Sequence, residues 1–212
     1  ADDGGDVARQ SRDQRRGERE AAIVAAAIEE FCAAGLAGAR LDQVAQRAGV
    51  AKGTLYLYFA SKEELFKAAV RALIHPLMDR IDRDIAEFQG STEELLRRAI
   101  LTAHADMTLR PQTREVLRLM IAEGHRMPDL AEFFHRETLA RGLATVRMIL
   151  WRGIAQGEFH QSPAAEFPQL IIAPCMLAAV WMLLLGDTHP LDMERYSAAH
   201  AAFVIAALRA QN

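Results

Sequence analysis

A chain of 212 residues, 51% of them apolar and 25% charged, has room for a small domain beside a larger one and enough apolar side chains to bury a core. The net charge of −3 gives no support to nucleic-acid binding. Two cysteines, Cys32 and Cys175, far apart and in no CxxC pair, argue against a disulfide framework and for a reducing, cytoplasmic setting, with a thiol sensor as the alternative.

The first twenty residues hold no apolar run and do not read as a secretory signal. Residues 1–16 are expected to form a disordered tail. Its arginines, with Arg19 (Arg9, Arg12, Arg15, Arg16), are either solvated or able to reach a minor groove, an idea that Asp13, Glu18 and Glu20 weaken. A helical period begins at Glu18, with Ile23, Ala26, Ala27, Phe31 and Ala33 on one face and Gly35 as its C-cap.

Short helices are then expected over Leu41–Ala48 and Lys52–Phe59, separated by Gly49. Ser61-Lys62-Glu63-Glu64 is a capping box that opens a long helix towards Gln89, with Pro76 as a kink. Ser91 or Thr92 caps a helix to about Leu109, and Pro111 opens another through Gly124. Pro128-Asp129 starts one that reaches Gln156, closed by Gly157. Ser162-Pro163 begins an apolar helix to Leu185, and Leu191–Ala210 is the last. No stretch sustains a period of two, so the fold class is all-α.

From Leu170 to Leu185 no residue is charged. Sixteen residues fall short of the ~20 that span a bilayer, so this is expected to be a core or interface helix, and no membrane partner is expected.

The unit Leu41–Ala60, LDQVAQRAGVAKGTLYLYFA, carries the functional signal. Two short helices cross closely only if the residue at the crossing is small and the turn admits a left-handed residue. Ala45 and Gly49 meet those needs, while Val44, Ala48, Val50, Leu55 and Tyr58 fall at the inward positions of a helix-turn-helix. The second helix is then a recognition helix, with Lys52, Gly53, Thr54, Tyr56 and Leu57 on its outward face. Tyr58 and Phe59 are expected in the core. Lys62, at the next helix start, is placed to hold backbone phosphate. Between Arg40 and Lys62 four cations (Arg40, Arg47, Lys52, Lys62) face one anion, Asp42, a local charge of 4 − 1 = +3.

Residues Arg19–Val70, above all AGVAKGTLYLYFASKEEL (Ala48–Leu65), resemble the DNA-binding domain of the TetR/AcrR family of repressors. AEGHRMPDLAEFF (Ala122–Phe134) resembles the C-terminal domain of some members. Two positions depart from the family pattern. Arg40 stands where Ser or Thr usually caps the first motif helix, and Ala51 where Ser often opens the recognition helix.

The resemblance implies a three-helix head over 17–62 and a larger helical body over 63–212 for effector binding and dimerisation. It places DNA contacts at Arg40, Ala51, Lys52, Gly53, Thr54, Tyr56, Leu57 and Lys62. It implies a homodimer through the last two helices, which Leu177, Val180, Trp181, Met182 and Leu184 support by composition, and hence a palindromic double-stranded operator. It also implies an apolar pocket in the body, for which Phe88, His104, Met107, Met120, Phe134, Met148, Trp151 and Met176 are the candidate lining and an apolar or aromatic small molecule the candidate effector. The expected function is a ligand-responsive repressor. A transcriptional activator with the same head is the alternative, and a helical metal-dependent enzyme a remote one. Glu132 and His135 make one ExxH without the second that a di-iron bundle needs, and neither an HExxH nor a GxSxG is present. No cofactor, metal site or catalytic residue is expected.

Overall fold

The computed structural model describes residues 3–209, with side-chain environments from residue 12 onward. Eleven helices follow one another: α1 (Asp3–Gly38), α2 (Leu41–Arg47), α3 (Lys52–Tyr58), α4 (Lys62–Glu87), α5 (Thr92–Leu109), α6 (Pro111–Glu123), α7 (Pro128–Phe134), α8 (Ala140–Ala155), α9 (Pro163–Glu166), α10 (Gln169–Leu185) and α11 (Met193–Leu208). Among the described residues the one extended pairing is an isolated bridge between Phe159 and Arg209. Two compact units divide the chain, a head up to Leu73 and a body from Ile74, with α4 contributing to both.

In the head, Ile23, Ala27 and Phe31 of α1 are buried with Val44, Leu55, Leu65, Phe66 and Val70. Phe31 and Phe66 meet edge to face, centroids 5.1 Å apart. Gly35 leaves the helical region at φ 71°, as expected of a C-cap, although helix resumes over residues 36–38, so that α1 is kinked there and only residues 39 and 40 separate it from α2. Where a disordered tail was expected over 1–16, the described backbone is helical from Asp3. The stretch holds no proline and many helix formers, and Gln14 donates to Glu18 one turn on. Residues 1 and 2, the side chain of Arg9, and Ala210, the expected end of the last helix, lie outside the described residues.

Helix starts follow the sequence signals. Ser61, Ser91, Ser162 and Asp192 each accept a backbone N–H of the first turn that follows, from Glu64, Glu94, Ala164 and Arg195. Two expected helices are interrupted. The run from Pro128 to Ala155 contains a five-residue π turn, His135–Leu139, between α7 and α8. The run from Pro163 breaks after Glu166, because Pro168 has no N–H to continue the ladder and pushes Phe167 out of the helical region (φ −116°, ψ 73°). Pro76 lies inside α4, which continues through it.

The body core joins Leu95, Leu96 and Ile100 of α5 to Ile149 and Leu150 of α8, Ile171 of α10, and Ala201, Val204 and Leu208 of α11. Gly153 is required there: a Cβ would come within 2.1 Å of the Phe159 ring, which packs directly over the α8 backbone. Glu158 closes the start of α5 by accepting the N–H groups of Thr92 at 2.8 Å and Glu93 at 3.1 Å. Burial alone would raise the Glu158 carboxyl, but these hydrogen bonds outweigh it and leave its pKa below the ordinary value. Arg12–Gly38 of α1 is long and apolar enough to cross a bilayer by composition, yet its apolar face supplies the head core; α10, at 17 residues, is shorter.

Candidate functional site

The head surface is built from α2, α3 and the turn between them. Gly49 takes φ 66°, and the Val50 N–H returns to the Ala45 carbonyl at 3.0 Å, which ends α2 and closes the turn into α3. Val44, Ala45 and Leu55 are buried at the crossing; Ala48, Val50 and Tyr58 are half-buried, and Phe59 is buried. The opposite face of α3 is open. Lys52, Gly53 and Tyr56 are exposed, Leu57 is 82% exposed, and Thr54 is half-buried. A Cβ at Gly53 would meet nothing within 4 Å, so a partner can approach that backbone closely.

The three cations Arg40, Lys52 and Lys62 have partners within the protein. Arg40 makes no side-chain cap for α2 and lies 3.8 Å from Asp42. Asp42 also pairs with Lys52; the hydrogen bond between them lowers the aspartate pKa and raises the lysine's. Lys62 donates to the carbonyls of Ala37 at 3.1 Å and Ala39 at 3.3 Å, so it fastens α4 to the end of α1. Ala51 is the extended N-cap of α3 and offers no side-chain bond.

Sequence reasoning passed over Glu30. The residue is 5% exposed, and its carboxylate accepts the Arg40 N–H at 3.1 Å and pairs with Arg47 at 2.9 Å. It therefore ties the residue before α2, and Arg47 at the end of α2, to α1. Its place on the buried stripe of α1, next to Phe31 and one turn after Ala26 and Ala27, was the available signal.

In the body a cavity of about 600 Å³ opens among α4, α5, α6, α7, α8 and α10. Its wall is largely aliphatic, with Ile74, Leu96, Leu117 and Leu143, and with Met107, Phe134 and Met176 from the sequence-selected set. The other five selected residues do not line it. Phe88 packs on the core under the Arg98 guanidinium, and Met120 is half-buried. Met148 and Trp151 face outward from α8, each about half exposed. His104 is buried behind the wall, its Nε2 2.9 Å from His200 Nδ1, and burial together with His200 lowers its pKa to about 4. The one carboxylate in the wall, Asp106, is held by Arg80 at 3.0 Å and Arg110 at 2.8 Å.

These two units match two family models: "Bacterial regulatory proteins, tetR family" over residues 23–69, and "Tetracyclin repressor-like, C-terminal domain" over residues 89–199. An HTH-type transcriptional repressor of Streptomyces coelicolor is 31% identical over 166 residues, 76% of this chain and 78% of that protein. The chain belongs to the TetR family of transcriptional regulators. The HTH-type transcriptional regulator SrpR of Pseudomonas putida is 30% identical over 136 residues, 64% of this chain, and that match spans 61% of the relative's own length. Among solved structures, the transcriptional regulator FadR of Bacillus subtilis, in complex with stearoyl-CoA, has the same fold, with a TM-score of 0.74 at 22% identity over 87% of this chain and 96% of that one. As in other TetR-family regulators, the first three helices form the DNA-binding helix-turn-helix domain and the remainder a separate helical domain.

A third feature belongs to the body. Leu170, Leu177, Trp181 and Leu184 of α10 stand exposed on one side of an uncharged helix, and Phe203 of α11 is also exposed. Single exposed apolar residues are ordinary, but a row at helical spacing is the mark of a contact surface.

Proposed function

We propose that this TetR-family regulator is a repressor that binds a palindromic operator as a homodimer and leaves it when an apolar or aromatic small molecule enters the body. The observation that carries the proposal is the cavity of about 600 Å³ with an aliphatic and aromatic wall. Ligand sites are commonly ~300–1,000 Å³, mostly apolar, with a few polar groups to orient the guest. Thr113, Thr138 and Gln169 would supply those groups, with Met107, Phe134 and Met176 on the apolar side. The stearoyl-CoA in the FadR structure has a long acyl chain, which agrees in kind with such a wall.

In this proposal the head is 17–62 and the body 63–212. Lys52, Gly53, Thr54, Tyr56 and Leu57 meet the major groove, while Arg40, Ala51 and Lys62 lie beside the backbone. Lys52 exchanges its Asp42 partner for phosphate or guanine. The exposed faces of α10 and α11 pair across a two-fold axis, which sets the two recognition helices one DNA turn apart. Effector binding favours a conformation whose head spacing does not fit successive grooves, a population shift carried by α4, the helix common to both units. As a regulator of this kind the protein works in the cytoplasm.

Genome-wide footprinting of the full chain, followed by effector screening by thermal shift, tests the proposal. Footprints at a few inverted repeats, abolished by an apolar compound that also raises the melting temperature, are expected. Uniform binding without preferred sites, or stabilisation by highly charged compounds alone, contradicts it.

A further inference from the structure

Behind the cavity wall three helices bring together His104 of α5, Cys175 of α10 and His200 of α11, all buried. One ligand atom from each lies within 4.8 Å of the others. The two rings share one hydrogen bond, Nε2 of His104 to Nδ1 of His200 at 2.9 Å. Each neutral imidazole carries a single proton. Whichever ring donates, one buried N–H and one bare nitrogen remain, and these outer atoms, His104 Nδ1 and His200 Nε2, have no hydrogen-bond partner among the described residues. Buried polar groups left in this state are rare and point to a ligand or a functional constraint.

We propose that His104, Cys175 and His200 form a site for one thiophilic d-block cation, Zn²⁺ or Cu⁺, held between α5, α10 and α11.

The donor set fits that class. Two imidazole nitrogens and a thiolate suit zinc or copper(I), while Mg²⁺ and Ca²⁺ require oxygen ligands. In a tetrahedral site with N and S donors the ligand atoms stand about 3.3–3.7 Å apart, so a cation would replace the 2.9 Å hydrogen bond between the facing nitrogens and part them by roughly half an ångström, with the Cys175 sulfur drawn in from within 4.8 Å. Burial depresses both histidines, His104 to about 4, so neither ring must lose a proton to offer a lone pair. Burial also raises Cys175 to about 12, so the free protein holds the thiol. Binding then replaces the S–H bond with a sulfur–metal bond and releases one proton to solvent, with no change of oxidation state. Cys175 also lines the cavity, so a donor entering through the cavity would complete the coordination. Since α10 and α11 carry the apolar face assigned to dimerisation, the cation would pin that face to α5. The site itself does not depend on the operator or effector proposal.

The test uses the full chain, stripped with a chelator and titrated with Co²⁺ as a spectroscopic stand-in for Zn²⁺. One Co²⁺ per chain, a thiolate-to-cobalt charge-transfer band, tetrahedral d–d bands and bleaching by Zn²⁺ are expected. A parallel arm titrates Cu⁺ against a copper(I)-specific chelator, and one ion per chain in either arm supports the site. Cys175→Ser and His200→Gln should lose the band, Cys32→Ser should keep it, and Zn²⁺ should raise the melting temperature of the native chain but not of Cys175→Ser. A native protein that takes up neither ion at one per chain, or a charge-transfer band that survives Cys175→Ser, overturns the site. The native titration decides the matter even if a variant fails to fold.

Discussion

Between Ile23 and Val70 the head packs residues that are near neighbours in sequence, whereas the body core draws on positions as distant as Ile85 and Leu208. In the head, geometry follows from local choices: a small Ala45 at the crossing, Gly49 at φ 66°, Leu55 one turn into α3. In the body, the cavity exists because six helices fail to fill the space among them, and no single helix signals that failure. The geometry of an exposed helix can therefore be encoded in twenty residues, while a cavity is a property of the packed whole.

The largest expected effect tests the head as a packed unit. Phe66 is buried against Phe31, and Phe66→Ala should lower stability by about 3–5 kcal/mol, read by urea unfolding. A loss below ~1 kcal/mol would mean that the head core does not depend on that pair. Next comes the outer face of the body. Leu184 is 75% exposed, so Leu184→Glu should leave the helical content intact yet shift micromolar protein from dimer to monomer in light scattering. A native monomer, or an unaffected dimer, separates that apolar row from assembly.

Contacts on α3 should be worth less. Lys52→Ala and Tyr56→Ala should each weaken operator binding by about 1–3 kcal/mol at fixed salt, and loss of Lys52 should reduce the salt slope by roughly 1. Unchanged affinity in both would move the interface off this face. The smallest effect lies at the start of α5. Glu158→Ala should cost about 1 kcal/mol near neutrality, since two N–H groups lose their acceptor. Because the folded carboxyl titrates below its unfolded value of ~4.3, its contribution is complete above that value and disappears as pH falls through the folded one. The deficit of the variant should therefore shrink in acid. A deficit that grows there would reverse the assigned direction.

What could be seen in the sequence follows the same division. The caps at Ser61, Ser91 and Ser162, the turn at Gly49 and the outward face of α3 rest on spacings of a few residues, and all were legible. The helix was carried through Phe167–Pro168 although Pro168 interrupts the apolar stretch, because a proline does not always end a helix: Pro76 and Pro174 both lie inside continuous ones. The π turn at His135–Leu139 left no compositional mark. Of the eight residues selected for the cavity, Met107, Phe134 and Met176 line it; Trp151 and Met148 share their character but face outward, which only the orientation of α8 decides. The ion pair between Asp42 and Lys52 was hidden, since it joins residues of different helices, and for Glu30 the sequence marked a buried position but not its partners Arg40 and Arg47. The same holds for His104, Cys175 and His200, which no short motif connects.

Selection of duplexes from a random DNA library by the purified full chain bears most directly on the claim that paired α3 helices read an operator. Enrichment of an inverted repeat with half-sites about 10 bp apart, centre to centre, and its loss with Lys52→Ala together with Tyr56→Ala, is the predicted result. Recovery of unrelated sequences, or the same repeat selected by the double variant, would contradict it.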